Sequence, residues 1–499
     1  MKYHNKLKKN NLYVNPRKAL HGGRCNNFRF SREVGANQQI LYYDVVSLYP
    51  YVMSRRPYPV GHPIVYQKDF PPIKEVFGFV SCKILPPNQL HFPVLPAKIN
   101  GKLVFTLCSK CAKTQNQHTC QCSDDERCLV HTFCSNELLR ALELGYKIIE
   151  IYEVLHYPTQ CDDIFKPYID TWYKIKAENS GYPKGLTEDF YDQFIKDFEE
   201  REGIELNKEN IQSNPGLRNI AKLMVNSLWG KFAQRPNQPE TKICKNFQEF
   251  YSKISDPNYE ILGDQMINNM ILLNYKLVDD ATANPRNTCV AIASFVTSWA
   301  RLKLHEEIHK IHLSNPGSVD YVDTDSVIFM YEEGKYKPSV NNFLGEMTDE
   351  IIEKYGVGAK ITEFHTTGPK VYGMNIQKPD GTEIKEFKAK GLTQTIESSE
   401  VMNFEVIKEK AINKANSLTN DATLVPQQQF QSNKRHDVTT RHLNKQYRVT
   451  SDKRRIVGND TLPYGWVDEE IGICNDDEID EELDDDQFAA LIIGAISSD

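Results

Sequence analysis

Asp44, Asp323 and Asp325 lie in two short stretches whose residue types suggest chemistry. In Val319-Asp-Tyr-Val-Asp323-Thr324-Asp325-Ser326-Val-Ile-Phe329, an Asp-Thr-Asp sits between two apolar half-strands, as in a β-hairpin whose tip presents carboxylates. Asp is a common turn residue, so taken alone the tip also reads as an ordinary turn. In Tyr42-Tyr43-Asp44-Val45-Val46-Ser47-Leu48-Tyr49-Pro50, a strand ends on Asp44 and turns sharply, with Pro50 as its stop. Carboxylates converging from separate elements suit two-metal phosphoryl transfer, in which divalent ions about 4 Å apart activate the attacking oxygen and stabilise the leaving group. Oxygen donors of this kind favour hard Mg²⁺.

A second pattern complements the acids. Arg218, Lys222 and Asn226 recur every four residues, followed by Trp229 and Gly230, and so form one stripe on a helix. Such a stripe would grip a triphosphate, although a charged row is also how a plain solvated face looks. Leu217, Ile220, Leu223, Met224 and Leu228 are expected to anchor the helix on its other sides.

The elements that must position these residues are mixed. Strand-like runs cover 40–46, 77–84 and 319–329, and helical periodicity covers 136–144, 165–178, 217–232 and 289–309, which predicts an α+β fold. Residues 85–134 and 233–285 are polar or broken by Pro, Asn and Asp and read as insertions. With 499 residues, 40% apolar and 25% charged, the chain is a multi-lobed globular protein rather than a small binding module. Its net charge of −7 comes from 13 acidic residues in 468–499; the remainder carries +6, which suits a phosphate-rich partner. That tail is expected to be disordered. The start has no apolar signal core, and the run AALIIGAI is too short to span a bilayer, so an intracellular protein without membrane segments is expected, nucleus or cytoplasm undecided.

Cys108, Cys111, Cys120, Cys122, Cys128, His131 and Cys134 fall within a short stretch. Cys108, Cys111, Cys120 and Cys122 are the preferred ligands of a structural Zn²⁺, with Cys128 and His131 as substitutes; incidental buried thiols are the alternative.

Taken together and in this order, Asp44-Val-Val-Ser-Leu-Tyr-Pro, Lys222-Leu-Met-Val-Asn226-Ser-Leu-Trp-Gly230 and Tyr321-Val-Asp-Thr-Asp-Ser326 resemble the three polymerase motifs of family B DNA polymerases, in particular the protein-primed branch of viruses, linear plasmids and Polinton/Maverick transposons. The resemblance covers about residues 20–465. It implies a right-hand fold: a palm with an antiparallel sheet, helical fingers and a thumb, with two insertions. Accordingly 1–68 would hold the first part of the palm, 69–164 a terminal-protein-region-like insertion, 165–232 the fingers, 233–285 a second insertion, 286–375 the rest of the palm, 376–467 the thumb and 468–499 the acidic tail.

The resemblance also implies residue roles. Asp44 and Asp325 would hold two Mg²⁺ ions, with Mn²⁺ as a substitute, helped by the Val45 carbonyl and with Asp323 as a secondary carboxylate. Tyr49, after Ser47 and Leu48, would stack under the incoming sugar and exclude a 2′-hydroxyl. Lys222, Arg218 and Lys176 would grip the triphosphate, Asn226 would position the nucleotide and Gly230 would admit the nascent pair. Trp229 departs from the usual Tyr. Lys370-Val-Tyr372 resembles the Lys-x-Tyr motif at the primer terminus; Thr324, Ser326, Lys388 and Lys390 would also face DNA.

The implied partners are primer-template DNA, dNTPs and a terminal priming protein, with the chain a monomer. His21-Gly-Gly-Arg24 resembles the junction that follows a proofreading exonuclease, yet residues 1–43 hold a single acid, Glu33, too few for that site. This fits a truncated gene, a split gene or a partial sequence. The rival functions are a decayed descendant that keeps only DNA or partner binding, and a metal nuclease. The basic stretch 434–455 reads as thumb, import signal or plain surface.

Overall fold

The computed structural model describes residues 13–183, 186–235, 237–278, 288–418, 421–433 and 437–468. The acidic tail beyond 468 and the basic residues Lys434 and Arg435 lie outside the described residues.

The apolar half-strands around Asp-Thr-Asp pair as Val319–Asp323 and Ser326–Glu332, and the second of these pairs antiparallel with Gln38–Val45. A nine-stranded sheet grows from this centre, in the order Cys25–Asn27, Val319–Asp323, Ser326–Glu332, Gln38–Val45, Lys360–Gly368, Val371–Gln377 and Glu383–Ala389. Ser31–Glu33 and Met347–Asp349 pair off this path. The root of the hairpin is fixed by buried Asp320, whose carboxylate accepts a forked pair of hydrogen bonds from Arg32 at 2.7–2.9 Å. Charge-assisted bidentate bonds of this type specify geometry as well as energy.

Under the sheet runs the 25-residue helix Val290–Ser314, apolar on most of its circumference and therefore buried on several sides. Its Phe295, Val296, Ala300, Leu304 and Ile308 join Tyr43, Val45, Leu48, Val52, Met53 and Phe329 in the main core. Burial of such side chains contributes roughly 1.5–3 kcal/mol each.

Three regions depart from the sequence expectation. Leu129–Cys134, read as part of an irregular insertion, is the edge strand of a four-stranded sheet with Gly78–Leu85, Lys147–His156 and Ile64–Tyr66. Its Leu129 and Phe133 join a second core with Val80, Ile84, Leu138 and Val154; Cys and His in the alternation hid the strand. Residues 237–278 likewise form a three-stranded sheet, Glu240–Cys244, Met270–Leu277 and Tyr259–Ile267, with the helix Phe247–Ile254. Here Asn268 is a turn residue with φ 52°, and not a sign of loop.

The third departure is the helix Pro215–Ala233, which Asn214 caps by accepting from the Leu217 N–H at 3.1 Å. Of the expected anchors, Leu228 packs against the main core and Met224 is half-buried, but Leu217, Ile220 and Leu223 are 39%, 53% and 67% exposed, while Ala221 and Val225 are fully buried. The helix packs against Lys166–Glu178, where the Tyr168 hydroxyl donates to the Met224 carbonyl at 3.2 Å.

Glu383–Ala389 extends the large sheet past the boundary expected at 375. The helices Ile396–Val401 and Phe404–Ala415 and the hairpin Thr423–Ser432/Val438–Tyr447 follow. The chain then returns through 448–466 to the sheet, so the basic stretch divides. Lys445 donates to the Gly391 carbonyl at 2.6 Å, whereas Arg454 is buried over the Phe28 ring and donates to Thr461. Among the described residues, no helix is long and apolar enough to cross a membrane.

Candidate active site

Strand pairing brings the two acidic stretches together. Asp44 lies opposite Ser326 in register, and the Val45 N–H donates to the Asp325 carbonyl at 2.8 Å. The turn between the half-strands is tight: Thr324 has φ 67°, its N–H donates to the Arg24 carbonyl at 2.7 Å, and the Asp325 N–H donates to the Asp323 carbonyl at 2.8 Å. Gly23 makes this contact feasible, because a Cβ there would lie 2.6 Å from Thr324 Cγ2.

The three carboxylates are electrostatically unequal. Lys370, itself at φ 64°, reaches Asp323 Oδ1 with its ammonium at 2.6 Å, and its N–H donates to the Tyr321 hydroxyl at 2.7 Å. Among the described residues, Asp44 and Asp325 have no such partner. Burial, then the neighbouring Asp325 and Glu350, push Asp44 up to about 8, with Lys222 opposing. Burial and Asp323 push Asp325 up to about 6, against its own backbone hydrogen bond. Two partly buried acids that resist ionising side by side form a donor set suited to a divalent cation, whose charge would reverse both shifts.

These acids open on a cleft of about 560 Å³ that is also lined by Thr324, Ser326, Lys370, Tyr372, Lys388 and Lys390. The Tyr372 and Tyr42 hydroxyls are 3.2 Å apart, and the Lys388 ammonium lies 5.5 Å from the Tyr372 ring centre. The structure thus brings together in one concavity residues that the sequence scatters from 42 to 390.

On the other side of Asp44, Ser47 adopts φ 50° and opens the helix Leu48–Arg55. Lys176 donates to Ser47 Oγ at 2.9 Å, joining the helix Lys166–Glu178 to this turn. Burial, then Arg218 and Lys222, lower Lys176 to about 8. Tyr49 stacks on Trp229 with ring centres 4.8 Å apart and planes at 19°. Arg218 donates to Ser180 Oγ at 3.1 Å, Lys222 is exposed and Asn226 is half-buried. A Cβ on Gly230 would meet nothing within 4 Å, which leaves room for a flat ligand. Val45 and Leu48 are core residues, so only their backbone is available to a ligand.

Glu350 escaped the sequence reading. It follows Met347–Asp349, whose Thr348 lies opposite Asp44, and opens the helix Glu350–Tyr355. The N-cap Asp349 was the available signal, but nothing local indicated the pairing that brings the segment to Asp44.

The preferred cysteines cluster elsewhere: the sulfurs of Cys108, Cys111, Cys120 and Cys122 all lie within 4.8 Å of one another. Cys128 and His131 stand outside this group, and the His131 ring packs 5.4 Å from that of His21.

Residues 2–312 match the family model of organellar and viral type B DNA polymerases, and the chain belongs to that family. It is 25% identical over 364 residues to a probable DNA polymerase of Neurospora intermedia, covering 71% of this chain and 30% of that protein. To a DNA polymerase of Kluyveromyces lactis it is 24% identical over 340 residues, covering 68% and 28%. The chain therefore spans less than a third of the length of these relatives. In structure it is similar to Phi29 DNA polymerase complexed with primer-template DNA and incoming nucleotides, with a TM-score of 0.50, 17% identity and coverage of 87% of this chain and 62% of that one. The complex of the same enzyme with primer-template DNA alone gives 0.51, 16%, 89% and 66%. The fold is that of an α+β polymerase.

Proposed function

We propose that the chain carries out template-directed DNA synthesis, adding deoxynucleotides to a primer 3′-hydroxyl. The observation that carries this reading is the convergence of Asp44, Asp323 and Asp325 on one cleft lined also by Lys370, Tyr372, Lys388 and Lys390, with Lys222 near enough to act on the charge of Asp44. Asp44, Asp325 and the Val45 carbonyl would hold Mg²⁺, which when bound lowers the barrier to phosphoryl transfer by neutralising charge on the attacking and leaving oxygens. Lys222, Arg218 and Lys176 bind the triphosphate. Tyr49, held by its stack on Trp229, lies under the sugar and leaves no space for a 2′-hydroxyl, while Asn226 and Gly230 receive the nascent pair. Lys370 orients Asp323 and, with Tyr372, the primer end; Thr324, Ser326, Lys388 and Lys390 face DNA.

In this reading the chain acts as a monomer, residues 69–164 meet a priming protein, and the four clustered thiols hold a structural Zn²⁺. Primer extension by the purified protein with Mg²⁺ and four dNTPs, beside Asp325→Ala, tests the function. Extension lost in the variant is expected; a folded wild-type protein that extends no primer would overturn the proposal.

A further inference from the structure

Residues 448–466 form a strap with two ends. At one end Thr450 presses its carbonyl against Gly368, where a Cβ would lie 2.3 Å from that oxygen, two residues before Lys370. Lys453 then donates to the Cys25 carbonyl at 3.2 Å, and Cys25 lies opposite Asp323 in the sheet. The strap turns through the hairpin Arg455–Val457/Asp460–Leu462, where the Phe30 N–H donates to the Asn459 carbonyl at 2.8 Å and the Thr461 N–H to the Phe28 carbonyl at 2.7 Å.

The other end lies on the cysteine cluster. The Leu107 N–H and Thr106 Oγ1 both donate to the Tyr464 carbonyl at 2.8 Å, and the Cys120 N–H donates to the Trp466 carbonyl at 3.0 Å. Gly465, at φ 92°, passes so close that a Cβ would lie 2.4 Å from both Cβ and N of Cys108. Between the ligand pairs, Gln117 accepts from the Ile456 N–H at 2.9 Å. Cys108 and Cys120 are thus both thiols of the cluster and contacts of the strap.

The cluster has the dimensions of a closed tetrahedral site. Its thiols are free, with Cys111 Sγ 3.5 Å from Cys120 Sγ and 3.7 Å from Cys122 Sγ, where Zn–S bonds of about 2.3 Å at tetrahedral angles give roughly 3.8 Å. The Cys111 N–H donates to Cys108 Sγ at 3.3 Å and Asn116 Nδ2 to Cys111 Sγ at 3.5 Å, contacts that suit anionic sulfur. The 108–122 loop has little apolar core of its own, so the geometry of its outer surface depends on what ties the sulfurs together.

We propose that a Zn²⁺ held by Cys108, Cys111, Cys120 and Cys122 is the anchor of the C-terminal strap, so that metal binding at the cluster fixes a segment that also braces the Asp323 hairpin from below. This rests on the zinc reading of the cluster above. The test uses the full chain with Zn²⁺, after zinc removal, and as Cys120→Ser and Gly465→Val. Zinc per chain and the cobalt–thiolate spectrum report the metal; amide hydrogen exchange reports the strap.

One zinc per chain is expected, with exchange in 455–466 at least about tenfold faster once it is removed or Cys120 is replaced. Gly465→Val should speed the same amides while retaining the metal, which separates loss of the anchor from general unfolding. Stoichiometric zinc with no change in strap exchange on its removal would overturn the anchoring role and leave the zinc reading intact. A chain that binds neither zinc nor cobalt while 455–466 stays protected would overturn both.

Discussion

The acidic cleft and the cysteine cluster are both groups of anionic donors, and they are built in opposite ways. Asp44 and Asp325 come from distant parts of the chain, meet only through strand pairing, and face an open cleft. The four thiols come from one short loop, and a segment from the other end of the chain covers them. An open site leaves positions for a substrate on a bound ion, whereas a closed one spends every position on the protein. The difference also predicts opposite consequences for stability. The acids are held together by the sheet despite their repulsion, while the thiols belong to an element that needs its donors joined.

The largest effect should come from Asp44→Asn. Primer extension is expected to fall by at least about a thousandfold, because the variant removes one of the two charged carboxylates that would hold the ions. Stability should move the other way. An unfolded aspartate ionises near 3.8, whereas burial and Asp325 raise Asp44 in the fold to about 8. Its cost to the fold is therefore absent below pH 3.8, grows as pH rises, and is complete above pH 8. At pH 8 without metal, Asp44→Asn should raise Tm by about 1–2 °C. Mg²⁺ should raise the wild-type Tm and leave the variant's nearly unchanged. Differential scanning calorimetry checks both signs, and a variant less stable than wild type in metal-free buffer would break the contrast between the two regions.

A smaller effect is expected at Tyr49, which holds no ion but shapes the cleft beside the donors. Stacked on Trp229, the ring has little freedom to yield to an added hydroxyl. In Tyr49→Val, the ratio of kcat/KM for dNTP to that for rNTP should fall by roughly tenfold to a hundredfold, with dNTP incorporation retained. An unchanged ratio would remove the sugar-gating role and leave the ring as packing for Trp229.

How much of this was legible depends on the range of the interactions involved. The Asp-Thr-Asp tip and the turn after Asp44 are written in a few residues each, so both hairpin and turn could be read directly. The cysteine group was likewise local. The packing face of Pro215–Ala233 is only partly legible: Leu228 anchors it as its type suggests, but Leu217, Ile220 and Leu223 face solvent while Ala221 and Val225 are buried. Hydrophobicity alone does not say which face another helix will approach. Glu350, Gly465 and Arg454 were illegible for another reason. Each owes its place to a partner far away in sequence: the strand of Asp44, the backbone of Cys108, and the ring of Phe28.

The smallest effect sharpens the cationic side of the cleft. Lys176 is crowded by Arg218 and Lys222 and partly desolvated, which lowers it from 10.5 to about 8 in the free protein. A triphosphate would favour its charged form and raise that value again. Below pH 8 the ammonium is already present, so nucleotide binding needs no proton; between pH 8 and the raised value, binding must take one up, and KM for dNTP climbs with pH. Between pH 7.5 and 9 the rise should be severalfold and at most about tenfold, since one ionisation changes affinity by no more than a factor of ten per pH unit. With Mg²⁺ saturating, Asp44 and Asp325 are ionised throughout this range and drop out of the comparison. Lys176→Arg keeps its charge and should flatten the rise, although the guanidinium will not reproduce the 2.9 Å contact with Ser47 Oγ and a modest uniform increase in KM is expected. Steady-state KM against pH for the two proteins decides the point: parallel curves would mean that Lys176 serves to hold the Ser47 turn and that Lys222 and Arg218 bind the phosphates without it.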